Sequence, residues 1–167
     1  QDDHRARVEF LLWTNQRTAA SKLKYLLTSD YRKLVDARIA LAARSRNVDA
    51  LVDAVPANLQ DNPGLLYERA KWRRQKLRNQ DVATPLLTDI DGSKIPEAGR
   101  SRLWDERNIA IRTDLKDGNW ARAYQLAAPH GMDGGSDFAE AEWVSGWIAL
   151  RLKNDADRSL QHFETMG

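Results

Sequence analysis

The chain has 167 residues, 42% of them hydrophobic, with 26 Lys and Arg against 24 Asp and Glu and no cysteine. That size and composition provide for a buried core and exclude a disordered chain. The missing cysteines exclude disulfides, thiolate metal sites and a cysteine nucleophile, and the near balance of charge argues against a dedicated nucleic-acid binder.

Turn-like dipeptides, each followed by an amphipathic segment, recur at Asn15-Gln16, Asn47-Val48, Asn79-Gln80, Asp117-Gly118 and Asn154-Asp155, at intervals of 32, 32, 38 and 37 residues. Helical-hairpin repeats have this period, about 34 residues in tetratricopeptide arrays. The expected architecture is therefore all-α: about five hairpins, ten helices, wound as a right-handed α-α superhelix of tetratricopeptide-like type.

The first hairpin sets Val8, Leu11 and Leu12 against Ala19, Ala20, Leu23, Leu26 and Leu27. Ser29 or Asp30 is placed to cap a third helix carrying Leu34, Ile39 and Leu41, and Val48 to Val55 answers it until Pro56 ends the run. Asn62 followed by Pro63 reads as an N-cap and first helical position, opening a helix from Gly64 to Arg78. In the segment after it, Thr84-Pro85 predicts a late start or a kink. Asp89 to Ser101, rich in Gly, Pro and charge, reads as a loop joining a sub-stack over 1–90 to another over 101–167. Then come Leu103 to Lys116, the Asp117-Gly118-Asn119 turn, and Trp120 to Ala128.

The last hairpin organises the rest. After a cap at Ser136 or Asp137, Trp143, Gly146, Trp147 and Leu150 share one face of a helix, with Val144, Ile148 and Leu152 opposite. Two apolar faces predict a helix sandwiched between neighbours, with only a strip of Glu142, Ser145, Ala149 and Lys153 left for water. Ala156, Leu160 and Phe163 resume the pattern on a shorter helix. An array ending there would expose apolar surface near Gly167.

Glu140 and Glu142 are the obvious carboxylate pair for acid–base chemistry. Two residues apart on a helix puts them about 200° apart around the axis, so they cannot converge on one bond. They read as a helix-start acid and a solvated one. His4, His130 and His162 are too widely spaced for a local metal motif. Gly131 to Ser136 lacks the lysine of a phosphate-binding loop. No catalytic, cofactor or metal residue is assigned. The one binding candidate is Tyr67, Arg69, Trp72, Arg73 and Arg74, where aromatic and basic side chains interleave on the most basic helix, a combination suited to a sugar polymer or a polyanion. Residues 1–80 hold 16 Lys and Arg against 9 Asp and Glu, whereas residues 81–167 hold 10 against 15, so this patch sits in the basic half.

The segments W-D-E-R at Trp104 to Arg107, D-G-N-W-A-R-A-Y-Q-L-A-A at Asp117 to Ala128, H-G-M at His130 to Met132 and A-E-A-E-W-V-S-G-W-I-A-L-R-L-K-N-D at Ala139 to Asp155 resemble the superhelical region of bacterial soluble lytic murein transglycosylases. A-R-I-A-L at Ala37 to Leu41 and Y-E-R-A-K-W-R-R at Tyr67 to Arg74 are similar to its earlier hairpins. The resemblance implies a periplasmic enzyme that cleaves peptidoglycan glycan strands with a single Glu in a lysozyme-like domain following the superhelix. The Glu-Ser that opens that family's catalytic motif does not occur here. The chain is therefore expected to be a piece of the scaffold, inactive alone and without cofactor. Its expected partners are peptidoglycan glycan strands and the parent's C-terminal catalytic domain, with no nucleic acid and no transmembrane segment. The alternative is a tetratricopeptide-like scaffold for a peptide or partner protein, without enzymatic activity.

Overall fold

A computed structural model describes residues 2–152 and 154–167. Among these, every regular element is helical: α1 (Asp2–Trp13), α2 (Arg17–Leu23), α3 (Ser29–Ala42), α4 (Val48–Asp53), α5 (Pro63–Lys76), α6 (Gln80–Thr88), α7 (Glu97–Asp117), α8 (Trp120–Ala127), α9 (Gly135–Arg151) and α10 (Ala156–Thr165), with three short 3-10 turns. No helix is long and apolar enough to cross a membrane among the described residues.

The helices pair in sequence. Between the partners of four pairs the chain reverses through a left-handed residue: Asn15 (φ 61°), Arg78 (52°), Gly118 (80°) and Asn154 (52°); Arg44 (55°) does the same before α4. The reversal is closed by amides that reach back five or six residues, Gln16 N to Leu11 O (2.7 Å), Ser45 N to Ala40 O (3.0 Å), Asn119 N to Asp114 O (2.8 Å) and Asp155 N to Ala149 O (2.8 Å). These bonds satisfy carbonyls that a helix end leaves open. Gly and Asn enter that region easily, whereas Arg44 and Arg78 do so at a cost of about 1–2 kcal/mol each. The sequence placed two of the reversals at Asn47 and Asn79. Asn79 instead caps α6, accepting from Asp81 N at 3.1 Å.

Other local signals differ in detail. Asn62 caps α5 through Gly64 N (3.0 Å) and Leu65 N (3.1 Å), with Pro63 at the first position. The cap of α3 is Thr28, not Ser29 or Asp30, and α9 begins at Gly135 without a side-chain cap. Pro85 neither delays nor ends α6, which runs through it. The Asp89 to Ser101 stretch contains a 3-10 turn at Gly92–Lys94, and α7 starts at Glu97, so the connection is shorter than the sequence suggested.

The chain divides into two compact units, one ending at Ile90 and the other beginning at Asp91. In the first, α3 has two buried faces. Leu34, Ala37 and Leu41 pack with Val48 and Val52 of α4 and Leu65 of α5, while Val35 packs with Val8, Leu12 and Ala20 of the first hairpin. Each such fully buried Leu or Val contributes roughly 1.5–3 kcal/mol. In the second unit the segment after Ile90 is held tightly, because Gly92 lies so close to His130 that a Cβ there would stand 2.6 Å from the His130 carbonyl oxygen. Gly131, at φ +70°, faces Gly92 and Ser93 just as closely.

Helix α9 corrects the expectation made for it. Glu142, Ser145 and Ala149, assigned to water, are buried, whereas Trp143 is 53% exposed and Leu150 is exposed too. Lys153 lies outside the described residues. The reason is size: Ala141, Ser145, Gly146 and Ala149 let neighbouring backbones approach, and Gly146 lies against Phe163 of α10, where a Cβ would stand 2.7 Å from the ring. The tryptophans are left to stack on each other, Trp143 on Trp147 at 6.5 Å and 15° between planes. With Leu160 of α10 exposed as well, this unit shows apolar surface on its last hairpin.

Candidate functional site

In the first unit a cavity of about 270 Å³ opens between α3, α4 and α5. Its apolar part is Leu41 from α3 with Val48 and Val52 from α4. Helical spacing then dictates the rest. Asp49 and Asp53, one turn apart on α4, stand on one rim, and Arg69 and Arg73, one turn apart on α5, stand on another with Trp72 beside them. Three of the five residues expected to bind, Arg69, Trp72 and Arg73, therefore meet in one cavity, joined by two carboxylates that sequence spacing did not connect to them.

Arg73 is held by donating from Nη1 to the Val82 carbonyl of α6 at 3.1 Å. Arg69 makes no hydrogen bond among the described residues, and no ion pair within 4.0 Å joins the arginine rim to the aspartate rim. Burial first, and then the like charge of Arg73, hold the Arg69 guanidinium below the ordinary arginine range, while Asp53 acts in the opposite direction. Trp72 packs its ring against the Leu34 and Leu41 cluster. Its Nε1 is buried without an acceptor among the described residues.

No family model, curated protein or solved structure matches this chain.

The two remaining binding candidates stand elsewhere. Tyr67 is only 3% exposed, its ring 4.9 Å from that of Trp13 and its hydroxyl accepting from Lys71 Nζ at 3.3 Å. It is a core residue with a polar tip. Arg74 does not line the cavity.

The second unit brings together residues that the sequence kept apart. Glu142 Oε1 meets His130 Nε2 at 2.9 Å, Glu142 Oε2 meets His162 Nδ1 at 2.5 Å, and His162 Nε2 meets the Tyr124 hydroxyl at 2.9 Å. The Met132 amide donates to His130 Nδ1 at 3.1 Å, so that nitrogen is the acceptor and the proton of a neutral ring sits on Nε2, directed at the carboxylate. Glu140 takes a different route, accepting from Trp104 Nε1 at 2.9 Å and Asn108 Nδ2 at 3.1 Å. The two glutamates do diverge, but the solvated role expected for Glu142 is overturned: it ties α9 to α10 and to the loop after α8. Its signal in the sequence was an acid on the helical strip shared with Ser145 and Ala149, with histidines 12 and 20 residues away. Every ring nitrogen of the pair is already engaged, and among the described residues no group of three or more His, Asp and Glu is placed to hold a metal ion.

Proposed function

We propose that this chain is a non-catalytic helical scaffold like the superhelical region of soluble lytic murein transglycosylases, with its hairpins stacked as a right-handed superhelix. Its role is to hold a peptidoglycan strand in position for a lysozyme-like catalytic domain of the same protein, in the periplasm. Within each unit, neighbouring hairpins touch through α3 with α5 and α7 with α9, which is the packing such a stack uses. The observation that carries the binding role is the cavity in which Trp72 is flanked by Arg69 and Arg73. An indole face with adjacent guanidinium donors is suited to a strand carrying sugar rings and carboxylates.

The test is co-sedimentation of the purified chain with peptidoglycan sacculi. Retention is expected for the unmodified chain and a clear loss for Arg69→Glu combined with Arg73→Glu. No retention of the unmodified chain removes direct strand binding. A second reading, a scaffold that takes a peptide or a partner protein with no enzyme attached, is favoured by Asp49 and Asp53, which give the cavity a rim that repels polyanions.

A further inference from the structure

Both readings leave open what enters the α3–α4–α5 cavity, and its charge layout is specific. Asp49 and Asp53 on α4 face the same space as Arg69 and Arg73 on α5, and the two rims do not neutralise each other by contact. We propose that this cavity binds a zwitterion, a free amino acid or a dipeptide, with its ammonium on the Asp49 and Asp53 side, its carboxylate on the Arg69 and Arg73 side, and its aliphatic part on Leu41, Val48 and Val52. The inference rests on taking the cavity as a ligand site and names the chemical class of its occupant.

Three features support this occupant over others. A polyanion would gain at Arg69 and Arg73 but meet two carboxylates in the same cavity, and like charges at that range cost binding energy. A neutral sugar could hydrogen-bond to either rim, yet it would bring no charge to meet the two arginines one turn apart on α5. A carboxylate supplies that countercharge, and a planar guanidinium matches it with two parallel bonds. Size agrees: a cavity of about 270 Å³ lies just below the roughly 300–1,000 Å³ typical of sites for larger ligands. It suits one amino acid or a dipeptide.

The experiment is calorimetric titration of the full chain with leucine, alanyl-leucine, N-acetyl-leucine, leucinamide and N-acetylglucosamine. N-acetylation removes the ammonium and amidation removes the carboxylate. Leucine or alanyl-leucine should bind saturably, and whichever is tighter tells a free amino acid from a dipeptide. N-acetyl-leucine and leucinamide should each be weaker by about tenfold or more, the cost of one charge-assisted interaction. Arg69→Gln should weaken leucine by a similar factor and leave leucinamide unchanged, while Asp53→Asn should weaken leucine and leave N-acetyl-leucine unchanged. Both substituted side chains reach solvent, and an unchanged helical circular-dichroism spectrum confirms the fold.

Equal binding of all the leucine derivatives, or binding of none, overturns the proposal. So does N-acetylglucosamine binding more tightly than leucine with a loss in Arg69→Gln, a result that would keep the cavity as a glycan site. Conversely, zwitterion binding in a chain that does not sediment with sacculi would sustain this inference and remove the peptidoglycan strand.

Discussion

Each unit buries charge at its centre, and the two do so in different ways. In the first, the guanidinium of Arg38, 1% exposed, pairs with Glu9 at 2.5 Å, lies over the Trp13 ring at 5.5 Å and leaves Nε and Nη2 without an acceptor. In the second, where Arg107 and Asp114 are buried as well, Glu142, 7% exposed, has one carboxylate oxygen on His130 and the other on His162. One cluster is a permanent charge imperfectly satisfied; the other is a carboxylate with both oxygens bonded. A buried pair stabilises only when its remaining donors and acceptors are met, so the first is the more fragile. What it provides is position: Arg38 joins α3 to α1 and fills the space left by Gly64 at the start of α5.

Removing Glu9's charge should therefore be the most damaging change. Glu9→Gln is expected to lower unfolding free energy by about 3–5 kcal/mol in urea titrations, because it leaves Arg38 buried and uncompensated. Arg38→Met should cost clearly less, since it removes the charge and the two unsatisfied donors together. The reverse order would mean that the pair is not what burdens the site.

The glycines that make room for each cluster's neighbours sharpen the contrast. A Cβ at Gly64 would stand 2.1 Å from Arg38 Cζ, and one at Gly146 would stand 2.7 Å from the Phe163 ring. Both Gly→Ala changes overpack, at a cost of about 1–3 kcal/mol. Gly64→Ala should lie at the upper end, because the Arg38 group it meets is enclosed, whereas Phe163 is half-buried and can swing. Thermal melts of the two variants compare them directly.

Glu142→Gln should cost less than Glu9→Gln, about 1.5–3 kcal/mol. The amide still offers one oxygen, and His162 can move its proton to the nitrogen facing Tyr124, accepting from the amide at Nδ1. Loss of cooperative unfolding in this variant would show instead that the full carboxylate holds the last hairpin.

The smallest effect is spectroscopic. Tyr31 donates to Glu9 at 3.1 Å, and burial, followed by the Glu9 charge, pushes its phenol up to about 12 from the usual 10.0. It should ionise later than an ordinary phenol in an alkaline ultraviolet titration. The sign follows from the raised value: this contribution to stability is complete below pH 10 and disappears as pH rises through about 12. In Glu9→Gln the phenol should ionise earlier, and an unmoved titration would separate Tyr31 from the Arg38 cluster.

Legibility in the sequence varied with the range of the interaction. Asn62-Pro63 announced the start of α5 because cap and first turn are neighbours in the chain. Helix α9 does pack between neighbours as expected, against α10 and against α7 and α8, but with Trp143 and Leu150 left outside, and α3 is likewise covered twice, its Leu34 and Val35 facing different clusters. Hydrophobicity alone ranked tryptophan above serine and alanine for burial. Close packing reversed that order in α9, where Gly146 lies against the Phe163 ring and Ala141, Ser145 and Ala149 are buried. In the cavity, Arg69, Trp72 and Arg73 could be singled out as one helix face, but Asp49 and Asp53 could not, because nothing local joins α4 to α5.

By itself the sequence determined that the chain is helical, roughly where each helix turns back, and which helix carries the cationic aromatic face. Those features depend on bonds spanning a few residues, such as caps, left-handed turn positions and i to i+4 ladders. Tertiary structure alone decided which face of α9 is covered, that Glu142 meets both His130 and His162, and that two aspartates share a cavity with Arg69 and Arg73. Those outcomes depend on how closely whole helices approach, which is set by the combined volumes of side chains far apart in the chain.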